Sequence, residues 1–101
     1  MEVYKWKTET VHLINRNPDM GRAEKVVLAE MLLGAVIKDG KFIYGQSRAR
    51  MCYLTDFSMK PLVKALTALE EEGYITTISE RYARRPEWEV HPEAITAEPP
   101  F

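Results

Sequence analysis

The stretch RARMCYLTDFSMKPLVKALTALEEEGYI, residues 48–75, constrains this chain more than any other. It reads as a short helix, a tight turn and a longer helix that closes on a glycine before a tyrosine-led strand. Leu62, Ala65, Leu66 and Leu69 recur at i, i+3, i+4 and i+7, the spacing of one apolar helix stripe. Met51, Cys52 and Leu54 belong to the shorter helix and Phe57 to the turn, so apolar or small residues fall where two crossed helices need them. Ser58 stands at the N-cap of the longer helix, its hydroxyl placed to accept a free backbone N–H. Pro61 falls in the first turn, where its missing N–H costs little. Gly73 stands where a C′ glycine ends a helix.

The rest of the chain is organised around that pair. Residues 3–10 alternate in part, which suits an extended segment with Tyr4 and Trp6 on one face, and a helical spacing fits nearly as well. Tyr4 and Trp6 then either lid the core or meet a second copy. Asn17, Pro18 and Asp19 form a turn signal, and a helix is expected over residues 20–37. Its second half, VVLAEMLLGAVI, is apolar nearly all round, which predicts burial on more than one side and a homodimer seam. Lys38, Asp39 and Gly40 end it. KFIY, residues 41–44, reads as a short strand with Phe42 and Tyr44 on one face and Ile43 on the other. Ser47 is placed to cap the next helix. Beyond Gly73, residues 74–79 form a β-branched strand, 80–87 a loop with three arginines, and 88–91 a second strand that closes a hairpin. Pro92 ends the hairpin. The order is helix, strand, helix, helix, strand, loop, strand, which makes an α+β chain.

Residues 48–75 resemble the helix-turn-helix of winged-helix DNA-binding domains, those of small bacterial, phage and plasmid regulators and replication or transfer proteins. The matching residues are Cys52 at the small buried position, Phe57-Ser58 entering the second helix, Leu62 and Ala65 anchoring it, and the run from Leu69 through Glu70, Glu71, Glu72, Gly73 and Tyr74 to Ile75. Asp56 stands where glycine is usual, which predicts a wider turn. Pro61 replaces a Ser or Thr that often touches DNA. The resemblance implies a three-helix bundle with a small antiparallel sheet whose hairpin is the wing, here with an extra N-terminal element. One domain is expected over residues 1–93, with the helix-turn-helix at 47–72 and the wing at 74–91, and a loose tail at 94–101.

The resemblance also assigns contacts. The second helix enters the major groove, and with its leucine stripe inward it presents Met59, Lys60, Val63, Lys64 and Thr67, with Ser58 at the tip. Val63 suits either a thymine methyl or plain solvent exposure. Arg48 and Arg50 begin the helix that crosses the backbone and meet phosphate. Arg81, Tyr82, Arg84 and Arg85 lie on the wing. Glu70, Glu71 and Glu72 are expected at the far end, away from the duplex.

Composition limits the alternatives. The net charge of −1 gives no global basic signature, so DNA binding rests on a local basic face. A length of 101 residues suits one domain, and 46% apolar residues can fill its core. The single cysteine excludes an internal disulfide and fits a reducing cytoplasm. No signal-peptide pattern or long apolar run stands in the sequence, so a soluble, cytoplasmic protein without membrane contact is expected. His12 and His91 have no ligand-spaced partner, and no nucleophile set or phosphate-binding loop can be read. No metal, cofactor or enzymatic activity is expected. The expected partners are double-stranded DNA and a second copy. The competing reading is a winged helix used as a protein–protein module without DNA binding.

Overall fold

The computed structural model describes residues 2–80 and 83–95. In chain order it runs α1 (Glu2–Arg16), α2 (Arg22–Gly34), β1 (Val36–Lys38), β2 (Lys41–Gly45), α3 (Arg48–Thr55), α4 (Met59–Glu71), β3 (Ile75–Thr77) and β4 (Glu87–Val90), then a 3-10 turn at Pro92–Ile95. The four strands make one antiparallel sheet of order β1-β2-β4-β3. Phe42 pairs with Val90 and Tyr44 with Trp88, and these four side chains form the sheet's buried inner face. Ile14, Leu28, Met31, Met51, Leu62 and Leu69 meet that face from the helices, all fully buried. The result is an α+β chain.

The extended option for residues 3–10 is not the one adopted. α1 is helical from Glu2, and it buries Lys7, Thr10 and Ile14 along one side. Helical geometry splits the expected aromatic pair. Trp6 stacks on Phe42 with ring centroids 5.1 Å apart, while Tyr4 is 71% exposed.

Lys7 has an unusual position for an ammonium. Its Nζ donates to the carbonyl of Ala35 at 2.6 Å and to that of Leu33 at 3.2 Å. It thus satisfies carbonyls that α2 leaves open at its C-terminal end, where a cation is favoured by the helix dipole. Burial pushes its pKa below the ordinary 10.5. Between that lowered value and 10.5 the unfolded chain binds more protons than the folded one, so stability rises with pH through this window. Tyr44 works in the opposite sense at higher pH. Its burial, followed by the charge of Glu30, raises its pKa to about 12, so stability falls as pH rises from 10 to 12. Replacing Lys7 with Met is expected to remove the rise that ends at the ordinary lysine pKa of 10.5 and to cost about 1–3 kcal/mol at neutral pH, the penalty for two carbonyls left without a donor. Urea unfolding at a series of pH values measures both effects.

α2 stops three residues earlier than the periodicity predicts, and β1 was not foreseen. Ala35 turns to extended backbone (φ −71°, ψ 142°), after which the β-branched Val36 and Ile37 pair with Ile43 and Phe42. Asp39 (φ 51°) and Gly40 (φ 77°) both take positive φ between the paired Lys38 and Lys41. That is the two-residue type I′ hairpin turn, for which Asp-Gly is a favoured sequence. The expected burial all round α2 is also corrected. Val27, Leu28, Met31 and Leu32 are fully buried, but Val26 is 38% and Leu33 47% exposed.

Gly34 closes α2 because the ring of Tyr44 lies against it. A Cβ built there would sit 2.8 Å from Tyr44 Cε1. The ring is itself held against Trp88 at 6.3 Å between centroids, and the phenol donates to Glu30 Oε2 at 3.4 Å. Gly34→Ala should therefore destabilise the fold by about 1–2 kcal/mol. Overpacking of about 1–3 kcal/mol outweighs the gain of up to about 1 kcal/mol in helix propensity. Thermal unfolding of the variant tests this balance.

The α3–α4 corner is tight. Ser47 caps α3 by accepting the N–H of Arg50 at 3.1 Å. Asp56 takes the left-handed conformation (φ 61°, ψ 27°), so the turn is not widened by the absence of glycine. Ser58 is the N-cap residue of α4, but its hydroxyl makes no capping bond. Pro61 explains this in part, because it occupies N3 and removes one of the two N–H groups such a hydroxyl ordinarily takes. At the other end Gly73 (φ 83°) donates to Glu70 O at 3.1 Å and Tyr74 to Leu69 O at 2.9 Å, both bonds of a Schellman cap.

The expected looseness beyond residue 93 does not hold for its first residues. Ile95 is buried at 5% exposure, and the 3-10 turn packs on α1. The remaining tail, 96–101, lies outside the described residues.

Candidate nucleic-acid interface

α4 divides cleanly between core and solvent. Leu62, Ala65, Leu66 and Leu69 are buried. Ser58, Met59, Lys60, Val63, Lys64 and Thr67 are all exposed. The exposed residues fall into two rows. Met59, Val63 and Thr67 succeed one another at i+4 steps, and Lys60 and Lys64 form a neighbouring row one residue on. Thr67 Oγ1 donates back to Val63 O at 2.9 Å. Among the described residues neither lysine makes an ion pair or a side-chain hydrogen bond.

α3 brings Arg48 beside this helix and carries Arg50 two residues further on. Arg48 lies over the Trp88 ring, 5.9 Å from its centroid, and Arg50 over Tyr53 at 4.8 Å. Such stacking fixes a guanidinium while leaving its N–H groups available to an anion. Arg48, Val63, Thr67, Glu70 and Thr77 line a notch of about 100 Å³ where α3, α4 and the sheet meet. Glu70 was expected to stay clear of this surface. Instead its Oε1 accepts the N–H of Thr77 at 2.9 Å, which pins β3 to α4 and brings a carboxylate into the notch.

Lys64 faces the opposite flank of α4. It lines a groove with Pro61 of its own helix and with Arg22 and Glu24 at the start of α2. Arg22, the first residue of α2, was not counted with the site in the sequence because nothing local sets it beside Lys64.

Of the described arginines of the β3–β4 loop, Arg85 lies on the sheet rather than beside α4. Arg84 is exposed. Arg85 Nη2 donates to Gly45 O at 3.2 Å and lines a groove on the sheet's outer face with Lys38 and Glu87. Arg81 and Tyr82 lie outside the described residues. The part of the expected site that is brought together is therefore Arg48 with Val63 and Thr67, with Lys60 and Lys64 in the neighbouring row of α4.

No protein-family model, no curated protein and no solved structure matches this chain. The interface is argued from its own chemistry. Exposed cations flank an apolar row on one rigid helix, an arrangement able to neutralise phosphates and to touch base edges between them. The histidines stand apart from it. His91 Nε2 lies 2.6 Å from Thr76 Oγ1, with Nδ1 3.2 Å from Glu93 and 3.7 Å from Glu89, while His12 is exposed on α1. Among the described residues no group of three or more metal-ligating side chains is assembled. No helix among them is long and apolar enough to cross a membrane.

Proposed function

We propose that this chain is a sequence-specific double-stranded DNA-binding protein of the winged-helix kind. It acts as a homodimer, in transcription regulation or as an accessory factor in phage or plasmid replication, partition or transfer. The observation that carries this reading is the exposed face of α4, where Lys60 and Lys64 stand without ionic partners among the described residues, with Arg48 of α3 on the other flank of the helix. In this reading α2, α3 and α4 are the three-helix bundle, α4 enters the major groove, and the β3–β4 hairpin is the wing. α1 is an N-terminal addition.

The net charge of −1 does not oppose it. Glu71 and Glu72 close the C-terminal end of α4, leaving its N-terminal half cationic. About five phosphate contacts per subunit would give a log–log salt slope of about −4 to −5, and twice that for a dimer.

A second reading, a protein–protein module, is favoured by one observation. Tyr4, Leu33 and Val36 are 71%, 47% and 53% exposed, away from α4. Selection of the purified chain against random-sequence duplexes at two salt concentrations separates the two. An enriched motif, repeated directly or inverted, supports the DNA reader and reports its subunit arrangement. Absence of duplex binding at low salt supports the protein module.

A further inference from the structure

We infer that α4 recognises thymine 5-methyl groups, so that the preferred target is an A·T-rich duplex with thymines at the contacted positions. This rests on the DNA-binding reading and goes further, to the base chemistry that is read. Four observations converge on it.

The first is the apolar row. Met59 and Val63 are 46% and 42% exposed, one helical turn apart. Single exposed apolar residues are common and mean little. Here they are aligned, and the row continues in Thr67. The second is the state of Thr67. Its hydroxyl is turned back onto Val63 O, so the outward side of that residue is its methyl group. Three successive positions thus present methyl groups along one line of the helix.

The third is what α4 lacks. The helix MKPLVKALTALEE contains no Arg, Asn or Gln. The side chains that pair bidentately with guanine or adenine in the major groove are absent from it, apart from lysine to guanine. The fourth is the placement of the two lysines. They form the adjacent row, so they can take phosphates at the groove wall while the methyl row faces the base edges. The thymine C5-methyl is the apolar group that the major groove offers. From Met59 to Thr67 the row spans about 12 Å at about 1.5 Å per residue. That covers roughly three to four base-pair steps at about 3.4 Å each.

The test uses duplexes recovered from the random-sequence selection and resynthesised with deoxyuridine in place of thymidine, which removes only the methyl groups. Wild-type protein is expected to bind the uracil duplex about fourfold more weakly per contacted methyl, the size of one buried methylene-sized group. Val63→Ser, at an exposed position, should bind the two duplexes with a smaller difference. Equal binding of both duplexes by the wild-type chain overturns the methyl reading. If Lys60→Ala with Lys64→Ala still weakens binding to both, the DNA-binding reading stands without it. A recovered motif that lacks A·T pairs at its invariant positions also overturns the methyl reading, and points to lysine–guanine contacts. Failure to bind any duplex overturns both.

Discussion

Leu32→Asp is expected to abolish folding, whereas Leu33→Asp, one position further on, should leave the chain folded. Leu32 has no solvent exposure and belongs to the central core with Leu28 and Met31. The substitution forfeits about 1.5–3 kcal/mol of side-chain burial. It also places a carboxylate among the apolar side chains of the core, at a further penalty of several kcal/mol. A domain of this size has about 5–15 kcal/mol of stability in total, so the two losses together consume most or all of it. Leu33 is 47% exposed, and a polar replacement there is worth roughly 0.5 kcal/mol in a monomer. Circular dichroism of the two variants across a concentration series reads both effects. A Leu33→Asp protein that folds at every concentration but loses self-association places the homodimer seam on the outer stripe of α2. One that folds and still associates moves the seam elsewhere.

That pair of residues also marks where the sequence is legible and where it is not. α4 could be read residue by residue because its apolar positions hold a 3.6-residue period and its ends carry local signals. Ser58, Pro61 and Gly73 all occupy the positions those signals imply, and only the capping bond of Ser58 is missing. α2 was harder because its apolar run continues without a break into β1. Periodicity cannot separate a buried helix from a strand in such a run. The break was nonetheless written locally, in Asp39-Gly40 flanked by β-branched and aromatic residues, the pattern of a two-residue hairpin. α1 offered two periods of nearly equal quality. The helix prevailed because it buries Thr10 and Ile14 and sets Trp6 against Phe42, a contact 36 residues distant that no local window contains.

The candidate site divides in the same way. The exposure of Lys60, Val63, Lys64 and Thr67 follows from the helix stripe and was readable. The destinations of Glu70 and Arg85 were not. Glu70 turns to the N–H of Thr77 because the Schellman cap at Gly73 swings β3 back along α4. Arg85 reaches Gly45 because β2 and β4 pair with Gly45 opposite Glu87. The second depends on sheet register, which is set by tertiary packing, and the first on the direction in which the chain leaves the cap.

The divergence between Lys60 and Lys64 on one side and Arg85 on the other yields the last prediction. Lys60→Ala combined with Lys64→Ala should weaken binding to a selected duplex about 10- to 100-fold near physiological salt. Each cation lost from a phosphate removes about 0.9 from the magnitude of the log–log salt slope, so the slope should fall by about 1.8 per bound subunit. Folding stability should stay within about 0.5 kcal/mol of wild type, because both side chains are exposed and neither has an ionic partner among the described residues. Arg85→Ala is the matched control, since its guanidinium is directed to Gly45 O on the sheet's outer face. It should leave the slope nearly unchanged. If instead Arg85→Ala lowers the slope and the lysine pair does not, the duplex runs across the sheet, and α4 is not the helix that meets it. Fluorescence anisotropy titrations at four or five salt concentrations distinguish the two, because the slope counts phosphate contacts whatever the sequence of the duplex.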